Sequence, residues 1–286
     1  MTRSPRRVST PDGVLRAAVR GRGPRLLCVH GLTANAASWE PVAGLLEDRF
    51  ALVLPDLLGR GLSDAAPAAS YRLEDEARRL AAVADALAPG PYLVVGHSHG
   101  AAVALALAAR QPRCRGLCLV DPVTPWTPRP PLLALLGPEA VRRAAAPLVG
   151  PLRRPVARRV LRGRVFADPE AVDEATVRRY ADPWAGPGRG RTLLRILADW
   201  RPGDLAPHLP PGRRPALVLT GEHDRRAPPS LAGRLAERLG CPLRVAAGSG
   251  HALPDEDPGT VARAVEELAE ETMRSERDPT HHEGEA

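Results

Sequence analysis

Lysine is absent from these 286 residues, so all forty basic side chains are arginines. Together with abundant alanine and 32 prolines, that one-sided choice reads as compositional bias. The net charge of +7 is therefore discounted as a sign of nucleic-acid binding. No basic run carries interleaved aromatics, and no nucleic-acid motif is present. Aromatics make up only 3% of the chain, which leaves core volume to Leu, Val and Ala. Cys28, Cys114, Cys118 and Cys241 lack CxxC or metal-ligand spacing. Cys28 and Cys118 fall within apolar runs, where a free thiol acts as a small hydrophobe. The basic N-terminus leads into no apolar segment, so no secretory signal is expected. No apolar run reaches about 18 residues, so no membrane span is expected either. These absences predict a reduced, cytoplasmic protein with a small-molecule partner; they carry no signal for oligomeric state.

What is present is a recurrence of short apolar runs: LLCVHG (26–31), ALVLPD (51–56), YLVVGHS (92–98), GLCLVDP (116–122), ALVLTGEHD (216–224) and LRVAAGSGH (243–251). Continuous runs of this length suit strands covered on both faces, as in a parallel sheet. Helical patterns such as LEDEARRLAAVADALA and GAAVALALAARQ separate most of them, which predicts a doubly wound α/β fold. RVSTPDGVLRAAV reads as a hairpin turning at Pro11-Asp12-Gly13. DPGTVARAVEELAEETMRS reads as a closing helix with Asp257 as cap and Pro258 in its first turn. Strand and helix stop alternating between 122 and 204, where the chain reads as a helical insertion. Core segments of 1–121 and 205–274 and a disordered tail of 275–286 complete the expected organisation. Residues 122–203 hold fifteen arginines, seven acidic residues and five of the nine aromatics. Those aromatics form either the insertion's own core or, for Trp126, Trp184 and Trp200, part of a substrate pocket.

The chemistry centres on GHSHG, Gly96 to Gly100. An apolar strand precedes Ser98 and an Ala-rich helix follows it, the strand–turn–helix context in which a serine is presented on a strained bend. A serine hydroxyl needs a base to become nucleophilic at neutral pH. His97 and His99 flank Ser98 on the turn and should project away from its hydroxyl. His251, at the end of the last apolar run, lies where the carboxyl edge of an open α/β sheet places ligand sites. Asp224 follows another strand and supplies the orienting acid. Asp121 is a rival for that role, Asp56 ends a further strand, and His30 is expected to shape the loop after the first parallel strand.

With these residues in order, the chain resembles the α/β-hydrolase fold family from residue 6 to 274. VHGLTANAASW is similar to the family's His-Gly loop, LPDLLGRGLSD to its Asp-x-x-Gly-x-Gly-x-Ser segment, and GHSHG to its nucleophile elbow. TGEHDRRAPP is similar to its acid turn and GSGHAL to its histidine loop. The resemblance implies that 122–204 is a helical cap and that the backbone N–H groups of Leu32 and His99 form an oxyanion hole. It implies a Ser98–His251–Asp224 triad acting on an ester, thioester or lactone, without a metal or organic cofactor. Carbon–carbon bond hydrolysis, removal of an N-terminal proline, acyl release or cyclisation, and a ligand-binding receptor are the alternatives the same scaffold allows.

Overall fold

The computed structural model describes residues 5–209 and 214–277. Eight strands form one sheet: β1 (Arg6–Thr10), β2 (Gly13–Arg20), β3 (Arg25–Val29), β4 (Ala51–Asp56), β5 (Tyr92–His97), β6 (Cys114–Val120), β7 (Ala216–Gly221) and β8 (Leu243–Ala246). Their spatial order is β1-β2-β4-β3-β5-β6-β7-β8. β1 and β2 make the expected antiparallel hairpin, β2 runs antiparallel to β4, and β3 to β8 are parallel.

The helices are α1 (Glu40–Leu46), α2 (Leu73–Leu87), α3 (His99–Ala108), α4 (Glu139–Val160), α5 (Glu174–Ala181), α6 (Arg189–Asp199), α7 (Pro229–Leu239), the short α8 (Leu253–Glu256) and α9 (Pro258–Arg277). Alternating residues of the central strands serve opposite covers. Leu27, Val29 and Val94 pack with α2, α3 and α7, whereas Leu26, Cys28, Leu93 and Val95 pack with α1 and α9. That two-sided burial explains why the strands are apolar without alternation. β8 departs from the expectation. It is an edge strand, with Leu243 and Val245 exposed.

Asp257 caps α9 as expected, its Oδ1 accepting the Thr260 N–H at 3.0 Å. α9 runs to Arg277, and the rest of the expected tail, 278–286, lies outside the described residues. Between β6 and β7 the described chain contains helices and turns but no strand. α4 passes through Pro147, Pro151 and Pro155. All three lie on the solvent side, so each missing backbone bond leaves a carbonyl that water can serve.

Candidate active site

The bend between β5 and α3 is built by close backbone approach. A Cβ at Gly96 would sit 2.5 Å from the Gly100 carbonyl oxygen and 2.7 Å from Ala101 Cα. One at Gly100 would run into the carbonyl oxygens of Val29 and His30. Ser98 is thereby held at φ 56°, ψ −119°, a conformation that costs a non-glycine residue about 1–3 kcal/mol. Its N–H donates to Val120 and its carbonyl accepts from Val123, at 2.9 and 3.2 Å, fixing the bend to the end of β6.

Three buried side chains converge there from separate strand ends. The Nδ1–H of His251 donates to Asp224 Oδ2 at 2.7 Å. That tautomer leaves Nε2 free to accept from Ser98 Oγ at 2.9 Å. The other Asp224 oxygen accepts the N–H groups of Arg226 and Ala227 at 2.7 and 2.8 Å, so the carboxylate cannot swing away. Asp121 stands nearby with an oxygen within 4.8 Å of the Asp224 and His251 ligand atoms. It accepts from Gly221 N at 2.9 Å and Leu253 N at 3.2 Å. It therefore ties β6 to β7 and to the segment after His251, while Asp224 holds the imidazole.

Neither histidine beside Ser98 touches its hydroxyl in this hydrogen-bond arrangement. His97 donates from Nε2 to the His251 carbonyl at 2.7 Å. Burial works against a charged His97, but Asp121 and the His251 carbonyl outweigh it and raise its pKa. His99 reaches the other way, its Nε2 donating to Glu76 Oε2. Glu76 is also ion-paired with the fully buried Arg60, and Arg60 Nε donates to the Leu32 carbonyl at 2.9 Å. Leu32 and His99 are thus connected through one buried charge chain. Gly31 closes the gap to the bend, since a Cβ there would lie 3.4 Å from Ser98 Cβ. The His99 N–H begins α3 and has no acceptor within the helix.

His30 shapes its loop as expected. Its Nδ1–H donates to the Gly31 carbonyl at 2.8 Å and its Nε2 accepts from Leu57 N at 3.0 Å. Burial, aided by Arg60, lowers its pKa to about 3, which matches a neutral ring in both bonds. Asp56 accepts from Ala36 and Leu62, pinning the loops after β3 and β4 together. Burial pushes the Cys114 and Cys241 thiols up to about 11, which keeps both protonated and poorly nucleophilic at neutral pH.

The segment between β6 and β7 also grips the chain around His251. His251 N donates to the Val165 carbonyl at 2.7 Å. Arg179 and Tyr180 of α5 donate to the two oxygens of Asp255, each at 2.6 Å. Glu256 accepts from Ala167, Gly250 and Ala252. The three tryptophans separate. Trp184 donates to the Thr33 carbonyl at 3.2 Å, beside Leu32. Trp200 lines a small cavity with His99, Tyr71 and Val123. Trp126 instead lies under Arg234 of α7, 3.8 Å from guanidinium carbon to ring centre. Arg60, Glu76, Arg179, Tyr180 and Asp255 had no spacing signal, because each acts through a partner distant in the chain.

A mostly parallel eight-stranded sheet between helical layers, with this bend at the carboxyl end of β5, defines an α/β-hydrolase fold. The chain belongs to the alpha/beta hydrolase family, whose model matches residues 26–264. It is similar to 2-(acetamidomethylene)succinate hydrolase of Mesorhizobium japonicum, 29% identical over 265 residues that cover 91% of this chain and 93% of the relative. It is also similar to N-formylmaleamate deformylase of Pseudomonas putida, 29% identical over 202 residues and 70% of each chain. Among solved structures it is similar to a malate-bound thermophilic esterase from Thermogutta terrifontis. That match has a TM-score of 0.72 and 25% identity, covering 94% of this chain and 99% of the other.

Proposed function

We propose that the protein is a serine hydrolase that cleaves a small carboxylic ester, thioester or lactone through an acyl-enzyme. The observation that carries this reading is the continuous hydrogen-bond line from Ser98 Oγ through His251 to a doubly anchored Asp224. Ser98 attacks the carbonyl carbon as His251 Nε2 takes its proton. Asp224 keeps the imidazole in the required tautomer and balances the imidazolium. The N–H groups of Leu32 and His99 receive the oxyanion, a donor of this kind being worth roughly 3–4 kcal/mol. His251 then protonates the leaving alcohol or thiol. Water, deprotonated by the same imidazole, attacks the acyl-enzyme carbonyl, and the proton returns to Ser98 as the acid leaves. Residues 122–204 act as a cap, and Trp184 and Trp200 border the substrate space.

A second reading, hydrolysis of an amide on a carboxylate-bearing substrate, is favoured by the two relatives named for a succinate and a maleamate. The test is turnover of p-nitrophenyl acyl esters beside N-acyl amides of small dicarboxylic acids, with native protein and Ser98→Ala. Ester turnover that disappears in Ser98→Ala supports the first reading, and amide turnover that does so supports the second. Turnover of either kind that persists in Ser98→Ala refutes the serine mechanism.

A further inference from the structure

Helix α4 faces the wrong way for a core helix. Leu148, Leu152 and Val156 are 58%, 49% and 53% exposed, and Val141 and Val160 are exposed towards its two ends. Ala144, Pro147, Pro151 and Pro155 are exposed as well, so every exposed side chain from 144 to 156 is apolar. Leu132 and Leu135 stand exposed on the neighbouring turn, Pro131–Leu136. Arg142 is the one buried side chain of α4, and Arg153 and Arg154 flank the stripe half-buried. Arg142 donates to the Leu136 carbonyl at 2.6 Å, and Arg154 holds Asp182 with two bonds of 2.8 Å. A helix ordinarily turns its apolar stripe to the core and its charges to water. A contiguous apolar face left outward marks an interaction surface.

The charge around this face indicates what covers it. From 139 to 164 the chain carries eight arginines and one acidic residue, Glu139. Arg143, Arg158, Arg159, Arg162 and Arg164 are exposed around the stripe and its C-terminal end; Glu139 is paired with Arg143 and Arg191 and Glu174 with Arg158, which still leaves the positive charge in excess. A second copy of the chain would bring the same arginine-rich flanks together. Anionic lipid headgroups would neutralise them while the acyl boundary received the leucines and prolines, the arrangement of an interfacial amphipathic helix. No helix among the described residues is long and apolar enough to cross a membrane, so α4 would lie along the surface.

We propose that the outer face of α4 docks the protein on an anionic lipid surface. This does not depend on the hydrolase reading. The experiment is co-sedimentation of the full chain with phosphatidylcholine vesicles prepared with and without phosphatidylglycerol, alongside sedimentation velocity of the free protein. Native protein binds the phosphatidylglycerol vesicles, releases them in high salt and ignores pure phosphatidylcholine. The pair Leu148→Glu, Leu152→Glu lowers vesicle affinity by at least about tenfold, and each of Arg159→Gln and Arg164→Gln lowers it by about fivefold. The two leucines are half exposed, so the melting temperature stays near native; should it fall, the milder Leu148→Gln, Leu152→Gln pair gives the same comparison. Native protein left in the supernatant overturns the proposal, as does equal binding to both vesicle types or undiminished binding by the variants. A dimer dissolved by the leucine substitutions, with no vesicle binding, assigns the face to a second copy instead.

Discussion

Glu76→Gln isolates the buried charge chain that connects Leu32 with His99. Arg60 is fully buried and Glu76 nearly so, so the substitution leaves Arg60 in the interior without a countercharge. Removing one partner of a buried pair costs about 3–5 kcal/mol. Burial alone would raise the Glu76 pKa, but Arg60 and His99 prevail and hold it at about 2, against an ordinary value of 4.5. A depression of that size corresponds to about 3 kcal/mol of stability at neutral pH, in line with the first figure. Because the folded pKa is the lower one, this stability is complete above about 4.5 and is lost as pH falls towards 2. About half is gone by roughly pH 3. Urea unfolding of native and Glu76→Gln protein across this range is the assay. The gap between them should reach several kcal/mol at neutral pH and narrow steadily below about pH 4.5. A gap below about 1 kcal/mol at neutral pH, or one that does not change with acidification, refutes the assignment of a strongly coupled carboxylate.

The other predictions concern the residues around Ser98. Asp224→Asn should fold normally yet lose about 10⁴-fold in kcat, because Oδ2 no longer selects the His251 tautomer; steady-state ester kinetics check this. Gly100→Ala should abolish both activity and the native melting transition, since a methyl group there meets the Val29 and His30 carbonyls, and a soluble variant with native activity would contradict the packing. His97 has a raised pKa, so its share of stability is complete below about 6.5 and is lost as pH rises through the folded value. His97→Asn should therefore flatten the native decline that sets in above about pH 6.5, as measured by urea unfolding. Tyr180→Phe removes the bond to Asp255; about 1–2 kcal/mol of stability should go with it, seen in the same unfolding assay.

The residues legible in the sequence are those whose role depends on local pattern. β3, β4, β5, β6 and β7 are readable because both faces are covered, Ser98 and Asp224 because each follows such a strand, and His251 because it follows the apolar run of β8. β8 carries a similar apolar pattern, yet lies at the sheet edge, where neighbouring strands and not local sequence decide exposure. α4 extends past Pro147 because its prolines face water, a fact that depends on how the helix is turned. The Arg60–Glu76–His99 chain was illegible for a related reason: its three members come from a loop, α2 and α3, and only tertiary packing makes them partners. Composition groups Trp126 with Trp184 and Trp200, while the stacking of Arg234 of α7 on its ring depends on tertiary packing.

The most direct measurement of the central claim is intact-protein and peptide mass spectrometry after brief exposure to a p-nitrophenyl acyl ester, with native, Ser98→Ala and His251→Gln proteins. The proposed mechanism predicts one acyl group per chain, on Ser98, in native protein, none in Ser98→Ala, and much slower acylation in His251→Gln. Acyl transfer to another residue, or p-nitrophenol release at the native rate from Ser98→Ala, would contradict it.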